Sequence, residues 1–334
     1  MHIGFNLKLD ENDSIFWGED EYRKLQEKGE KHLDAQKAVY QKDLKKYVNQ
    51  NEIDGTKIQN EWFPQVKADI FISHSHKDTE LACALAGWIN KNFGLRCFID
   101  SNVWGYSEEL LSEMNANLSD REEFGGRYLY DLKSCNMVSQ HVNTMLSIAL
   151  QKMIDKVEAV ILLNTERAVT VHSDTQMEKT YSPWIYSEIV CTQFIRKKPL
   201  LAYRNYTIEH QTYEGIYESV QYAKHLGISY DVSLKHLKEL GVEDLEQWNL
   251  EYGWHNLDYE YPLDALYKFM CPNEVENTKK LFCVLEDGEL RTLQHAYSTQ
   301  GMDADDCERV QDILDGIINR GLSCCWECNG YLNG

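Results

Sequence analysis

An alternation of short apolar strands and amphipathic helices along the middle of the chain constrains the fold most strongly. The sequence predicts strands over Asp69–Ser73, Leu95–Asp100, Ala159–Leu163 and Pro199–Tyr203. The predicted helices between them carry apolar residues at helical spacing: Leu81, Leu85, Trp88 and Ile89; Met145, Ile148, Ala149 and Met153; and the run from Trp184 to Ile195. Such alternation, with strands that are apolar throughout, favours a parallel sheet covered by helices on both faces. We therefore predict a flavodoxin-like α/β fold.

A mainly polar segment precedes this region. Over residues 19–48 apolar residues recur at helical spacing, which predicts a helix interrupted by Gly29. Such a helix either packs on the following domain or mediates self-association. Residues 49–64 resemble a linker, so residues 1–64 are expected to form an N-terminal helical segment.

The remaining segments are less regular. Residues 106–143 are expected to be an insertion, because they are polar and contain several Asn and Gly residues. Helix signals follow over Leu234–Leu240, Leu263–Met270 and Asp303–Arg320. We accordingly divide the chain into residues 1–64, a domain over 65–270 and an acidic, mainly helical C-terminal extension over 271–334.

The charge balance argues against two classes of partner. The chain has 34 Lys and Arg against 54 Asp and Glu, a formal net charge of −20. Binding to nucleic-acid phosphates or to an anionic membrane surface needs a basic face, so neither is expected. The N-terminus shows no export signal, and ten cysteines in 334 residues are too few for a disulfide scaffold. We expect a cytoplasmic protein with reduced thiols.

Three loops are expected to share one rim of the predicted sheet. Ligands of such sheets bind outside the carboxyl ends of the strands, where Ser73–Asp78, the loop after Asp100 and the loop after Leu163 would meet. Backbone N–H groups of Ser73–Asp78 can hold a phosphate at the start of a helix. Alternatively, Ser73, Ser75 or Asp78 caps that helix.

The loop after the second predicted strand leaves similar alternatives open. Asp100 either binds a ribose hydroxyl or caps a turn. Trp104 is either a lid over a ligand or a packed loop residue.

Trp184 and Glu188 form the most informative pair. On a helix, residues four apart lie on the same face, so the indole and the carboxylate project together. An aromatic plane beside an acid suits an N-glycosidic bond to a planar cationic base, because the ring can stack while the carboxylate stabilises an oxocarbenium-like transition state. The alternative is a half-buried Trp beside a solvated Glu.

No resident metal or cofactor is expected. The chain lacks Gly-x-Gly-x-x-Gly and Gly-x-x-x-x-Gly-Lys-Ser/Thr, so neither dinucleotide-fold nor P-loop chemistry is supported. Cys324–Cys328 is one cysteine cluster without a second pair at zinc spacing, and the role of these cysteines stays open.

Residues 66–204 resemble a bacterial Toll/interleukin-1 receptor (TIR) domain. The segment Asp69–Asp78 is similar to the first strand and loop of the family. Leu95–Asp100 with Gly105 is similar to its second strand and BB loop, and Ser182–Glu188 to its αC helix with a catalytic glutamate. The long stretch over 106–143 departs from the family pattern and affects the expected BB loop.

The resemblance implies cleavage of NAD+ with release of nicotinamide, as in enzymatic members of the family and in Thoeris-type antiphage defence. The product would be ADP-ribose or a cyclic ADP-ribose signal. The implied catalytic residue is Glu188, and the implied NAD+-binding residues are Ser73, His74, Ser75, Asp100, Trp104, Gly105 and Trp184. NAD+ would be the substrate, with no other cofactor.

The same resemblance implies partners. They are a second copy of the chain through TIR contacts, a phage-derived trigger and an effector that receives the nucleotide product. The rival reading is a non-catalytic TIR interaction scaffold, which the acidic residue at position 188 argues against, because many such domains lack it. A nucleoside-processing transferase is a third, more distant alternative.

Overall fold

The computed structural model shows an α/β protein built on a five-stranded parallel sheet flanked by helices. It describes residues 1–36, 48–49, 52–104, 107–125, 127–171, 177–195, 197–204, 229–255, 259 and 261–273, with short pieces at 288–289, 291–293 and 308–313. The strands are β1 (Ile3–Leu7), β2 (Val48–Asn49), β3 (Glu52–Ile53), β4 (Ile70–Ser73), β5 (Cys97–Phe98), β6 (Arg121–Phe124), β7 (Arg127–Tyr130), β8 (Ala159–Leu163), β9 (Thr170–Val171), β10 (Glu178–Thr180), β11 (Tyr230–Asp231) and β12 (Lys238–Leu240). The helices are α1 (Glu19–Asp34), α2 (Gly55–Trp62), α3 (Thr79–Phe93), α4 (Asp100–Val103), α5 (Ser107–Leu118), α6 (Leu132–Lys156), α7 (Pro183–Phe194), α8 (Val242–His255) and α9 (Pro262–Met270).

The order of the strands in the main sheet is β12–β1–β8–β4–β5, and all of them are parallel. The chain leaves β4 for β5 on one side and then returns to β8 on the other side. This reversal creates a switch point between β4 and β8, and ligands of such sheets bind at switch points, outside the carboxyl ends of the strands. The topology is compatible with a flavodoxin-like fold.

The second strand from one edge of the sheet, β1, was not identified by the sequence analysis. All five residues of β1 are buried, and the strand pairs with β8 and β12. Residues 1–64 were expected to be a helix and a linker, so this strand is an addition to that expectation. The segment escapes recognition because Gly4 and Asn6, both poor strand formers, interrupt its apolar residues.

Three of the four predicted strands are confirmed as β4, β5 and β8, whereas the fourth is wrong. Leu200–Tyr203 forms a 3-10 helix rather than a strand. The place beside β8 that a further strand would take is already occupied by β1. The helix predicted over Leu234–Leu240 is also wrong, because its last three residues form the edge strand β12, in which Leu240 alone is buried.

Helices α3, α7 and α9 confirm their predictions, and α1 shows what its apolar residues do. Tyr22, Leu25 and Leu33 are buried on the face of α1 that packs against α3. The two helices touch backbone to backbone. A Cβ added at Gly29 would lie 1.9 Å from the carbonyl oxygen of Cys83, and one at Gly87 would lie 1.9 Å from that of Leu25. Within residues 19–34 the packing alternative therefore describes the helix; residues 37–47 lie outside the described part of the chain.

The stretch expected to be an insertion is regular structure. It contains α5, the hairpin of β6 and β7, and the first turns of α6. Asp131 caps α6 by accepting a hydrogen bond from the Ser134 N–H. The helix runs on into the core, where Met145, Ala149 and Met153 are buried as the sequence predicts, whereas Ile148 is exposed.

The described residues divide into two compact units. The first contains the whole main sheet, helices α1–α7 and the candidate site. The second contains residues 197–204 and 243–273, in which Trp248 is fully buried and donates a hydrogen bond to the Pro262 carbonyl at 2.9 Å. Gly105, Cys324–Cys328 and most of the helix expected over Asp303–Arg320 lie outside the described residues.

Candidate functional site

A hydrogen bond between Ser73 and Glu188 lies at the carboxyl edge of the sheet. Ser73 is the last residue of β4, and its hydroxyl donates to Glu188 Oε2 at 2.5 Å. Both side chains are buried, with only 4 % of Glu188 exposed. Glu188 lies in α7, whose first turn is fixed by Pro183 and by the Ser182 hydroxyl, which accepts from the Ile185 N–H. The structure thus joins two of the sequence-predicted site residues that are far apart in the chain.

The Glu188 carboxyl group is in an environment that disfavours its charge. Burial raises its pKa well above the ordinary value, the negative charge of Asp100 raises it further, and the hydrogen bond from Ser73 partly opposes both effects. Among the described residues, no basic side chain forms an ion pair with Glu188. A buried acid beside a second acid is therefore present without a compensating cation.

His74 connects the loop after β4 to the helix that begins at Asp100. Its Nε2 atom lies 3.1 Å from the Ser101 hydroxyl and 3.4 Å from that of Thr79. Burial lowers the pKa of His74, whereas the charge of Asp100 opposes that shift. Asp100 is thus close enough to act on both His74 and Glu188, and the three groups form one electrostatic cluster.

The two tryptophans predicted for the site have different environments. Trp184 is half-buried in the first turn of α7, one turn before Glu188 and on the same face. Trp104 is 2 % exposed, packs edge-on against Phe63 and Phe98 and donates a hydrogen bond to the Pro64 carbonyl. Trp104 therefore matches the packed-residue alternative, and its indole is covered by protein in this structure.

None of the three side chains considered as helix caps has that role. Ser73 bonds to Glu188, and half-buried Ser75 makes no side-chain capping bond to the short 3-10 helix that follows it. Asp78 is buried and points across the switch point. It accepts from the Thr165 hydroxyl at 2.5 Å and from Arg167 Nη1 at 2.9 Å. The capping alternative therefore does not explain this loop.

The Asp78 contacts tie the loop after β4 to the loop after β8. Sequence reasoning placed both loops on one rim but considered Asp78 only as a helix cap. The link could not be read from spacing, because Thr165 and Arg167 belong to a different βα unit. Its consequence is that the two loops at the switch point are held together.

A second polar network on the same edge was also missed. Asn6 in β1 donates to Glu239 Oε1 and accepts from Asn164 Nδ2, each at 2.9 Å. Asn6 is buried and is the one polar side chain in the run Ile3–Leu7. A single polar residue within an apolar run needs a hydrogen-bond partner, and this is the signal that could have identified it. The network joins the ends of β1, β8 and β12.

Within the described ranges, no group of three or more His, Cys, Asp or Glu side chains is arranged to hold a metal ion. A search of the same ranges for a helix long and apolar enough to cross a membrane found none. Comparison of the chain with protein-family models, curated proteins and solved structures found no match. The fold and the local geometry therefore carry the functional argument: an α/β sheet with an acidic, partly aromatic site beside its switch point.

Proposed function

We propose that this protein cleaves the N-glycosidic bond of NAD+ and releases nicotinamide, with Glu188 as the catalytic carboxylate. The observation that carries the proposal is the buried Ser73–Glu188 hydrogen bond at the carboxyl edge of β4, with Trp184 one turn away. The resemblance of the surrounding segments to TIR domains also implies NAD+ as the substrate. The proposal extends to a TIR-type fold, to a product that is ADP-ribose or its cyclic form and to a role in antiviral defence.

The charges at the site favour a cationic ligand. The Asp100 charge opposes ionisation of Glu188, and a positive group placed between them would lower the energy of both carboxylates. The nicotinamide ring of NAD+ carries such a charge, whereas the bases of ordinary nucleosides are neutral. This argument favours NAD+ over the substrates of a nucleoside-processing transferase.

The residues fit the steps of glycosidic cleavage. As the bond between ribose C1 and the nicotinamide nitrogen breaks, its electron pair leaves with the base, which becomes neutral, and positive charge develops on the ribose. The ionised Glu188 would stabilise that charge and accept hydrogen bonds from the ribose hydroxyls. Attack by water gives ADP-ribose with release of a proton, and attack by a nucleophilic atom of the adenosine half closes the cyclic product.

The other predicted residues receive roles around that step. Ser73 would orient Glu188, and Trp184 would stack on the base. His74, Ser75 and Asp100 would line the pocket, with Gly105 in the neighbouring loop. Trp104, which is packed in the core, would act by holding the start of that loop rather than by touching NAD+.

The test is incubation of the purified full-length chain with NAD+, followed by chromatography and mass spectrometry of the products. We expect nicotinamide from the wild type, and at least a hundredfold less from Glu188→Gln. Ser73→Ala should retain part of the activity. Glu27→Gln, an exposed change on α1, is the matched control and should leave the rate unchanged. The mass of the second product distinguishes hydrolysis from cyclisation.

Equal nicotinamide release by wild type and Glu188→Gln would refute the assignment of the catalytic residue. Release of a base from adenosine or inosine but not from NAD+ would favour the transferase. No turnover of either substrate at high protein concentration, with or without lysate of infected cells, would favour the interaction scaffold.

A further inference from the structure

The hairpin of β6 and β7 is exposed on all sides. All eight strand residues are exposed, and four of them are large and apolar or aromatic: Phe124, Tyr128, Leu129 and Tyr130. Within the described residues, these two strands pair only with each other. An isolated hairpin is marginally stable in water, and an exposed apolar cluster of this kind marks an interaction surface.

The register of the hairpin shows which backbone groups face outward. Phe124 lies opposite Arg127 across the two-residue turn, and such a closing pair is hydrogen-bonded. Hydrogen-bonded pairs then alternate along the ladder, and the Asp131 N–H bond to the Asp120 carbonyl follows this alternation. The N–H and C=O groups of Leu129 therefore face β6, whereas those of Tyr128 and Tyr130 point away from the hairpin along the free edge of β7.

A second copy of β7 fits this edge. In an antiparallel pair the outward-facing residues oppose one another, so Tyr128 of one chain lies opposite Tyr130 of the other. Leu129 then lies opposite Leu129 of the second copy, on the two-fold axis. The pairs formed by Tyr128, Leu129 and Tyr130 in this register are aromatic or aliphatic, and Arg127 lies opposite Asp131 of the second copy, so both kinds of pair stabilise cross-strand pairing.

The other edge of the hairpin opposes self-pairing. The backbone groups of β6 that face outward belong to Arg121 and Glu123. If β6 paired antiparallel with β6 of a second copy so that Arg121 lay opposite Glu123, Glu122 would lie opposite Glu122. The alternative registers set Arg121 against itself or Glu123 against itself, so like charges always oppose. Pairing β7 with β6 of another copy would set Leu129 against Glu122, which is also less favourable.

We propose that the chain forms a two-fold dimer by antiparallel pairing of β7 with β7 of a second copy. The edge is short and the net charge of −20 repels a second chain, so the dimer is weak and is strengthened by salt, which screens that charge. The proposal rests on the hairpin alone and does not depend on NAD+ cleavage.

Disulfide trapping tests the register. Non-hydrogen-bonded positions of an antiparallel pair have Cα atoms about 4.5 Å apart, within the range that a disulfide spans. Leu129→Cys should give a cross-linked dimer under mild oxidation, at least tenfold more than Tyr128→Cys, which is equally exposed but lies opposite a different residue. The wild type measures the background from native cysteines. Equal trapping at both positions would overturn the proposed register.

Sedimentation velocity from about 1 to 100 μM tests the association itself. The wild type should shift toward a dimer, and Leu129→Lys should weaken the dimer at least tenfold by placing two ammonium groups on the axis. Glu122→Lys, a change on the other strand, should not weaken it. A wild type that stays monomeric over this range would overturn the proposal and assign the edge to a different partner, and open-ended oligomers would replace the two-fold dimer with β7–β6 stacking.

Discussion

At the scale of single residues, the Glu188 carboxyl group costs the fold stability. It is buried, its neighbour Asp100 is also acidic, and its hydrogen bond from Ser73 offsets only part of the cost. Glutamates in such an environment are retained at sites where their altered titration serves a chemical task. A substitution of Glu188 that removes the negative charge but keeps the size of the side chain should therefore raise stability while it removes activity.

Glu188→Gln should stabilise the protein at pH 8 by about 0.5–2 kcal/mol while abolishing NAD+ cleavage. The pKa of Glu188 is raised in the folded state, so the folded protein holds its proton above the ordinary value of 4.5, where the unfolded chain releases it. The free energy of unfolding of the wild type therefore falls as pH rises through this interval, and the variant lacks that fall. Urea unfolding at several pH values measures the difference.

The control for this prediction is Glu27→Gln, on the exposed face of α1. It should change stability by less than about 0.5 kcal/mol at every pH. If the two variants respond to pH alike, burial and Asp100 do not raise the pKa of Glu188.

At the scale of elements, two glycines allow α1 and α3 to approach closely, beside the large apolar side chains that α1 buries. Gly29 in the middle of a helix looks like a defect in the sequence, since glycine costs about 1 kcal/mol against alanine there. In the structure it lets the backbones of the two helices touch opposite Gly87. The usual preference for alanine is therefore reversed at these positions.

Gly29→Ala and Gly87→Ala should each destabilise the protein by about 1–3 kcal/mol, because the added methyl group would overlap a carbonyl group of the facing helix. Thermal unfolding followed by circular dichroism measures the loss. Gly253→Ala, in α8 with open space around the added carbon, should instead raise helix stability by about 0.5–1 kcal/mol. A gain at all three positions would contradict the close contact.

Sequence patterns predicted the elements whose burial is uniform. The strand Ala159–Leu163 is apolar throughout, and the helix α3 carries apolar residues at helical spacing and is followed by Gly94 as its C-cap, so both were predicted. Strand β12 was not, since two of its three residues are charged and exposed at the sheet edge. Its formation depends on pairing with β1, which is distant in the chain. The spacing of residues within a short segment does not show such pairing.

The candidate site shows the same division. Glu188 and Trp184 were found because they are four residues apart in one helix, and Ser73 because it ends a recognisable strand. The contact of Asp78 with Arg167 and that of Asn6 with Glu239 join segments far apart in the chain. Each is a product of strand order, which could not be deduced while the first strand was unrecognised.

At the scale of the whole molecule, the sheet depends on its N-terminal strand. β1 lies between β8 and β12 and supplies the hydrogen-bonding partners of both. A domain cut at the boundary expected from the sequence would therefore lose the strand that joins β12 to the rest of the sheet.

A fragment of residues 65–270 should be insoluble or lack cooperative unfolding, whereas residues 1–270 should fold. Without β1, two strands lose their paired backbone groups and the apolar faces of Phe5 and Leu7 are missing from the core. Solubility and the far-ultraviolet circular dichroism of the two fragments measure the effect. A soluble 65–270 fragment with a sharp thermal transition would show that β1 is dispensable.

The same strand determines the order in which the protein can fold during synthesis. Ile3–Leu7 is made before both of its partners, because β8 and β12 lie far along the chain from it. This apolar segment must therefore stay unpaired until β8 has been made, and the sheet is complete only after residue 240, which makes folding slow and late. Chaperone dependence during translation, rather than the stability of the finished fold, is then expected to limit how much of this protein a cell accumulates.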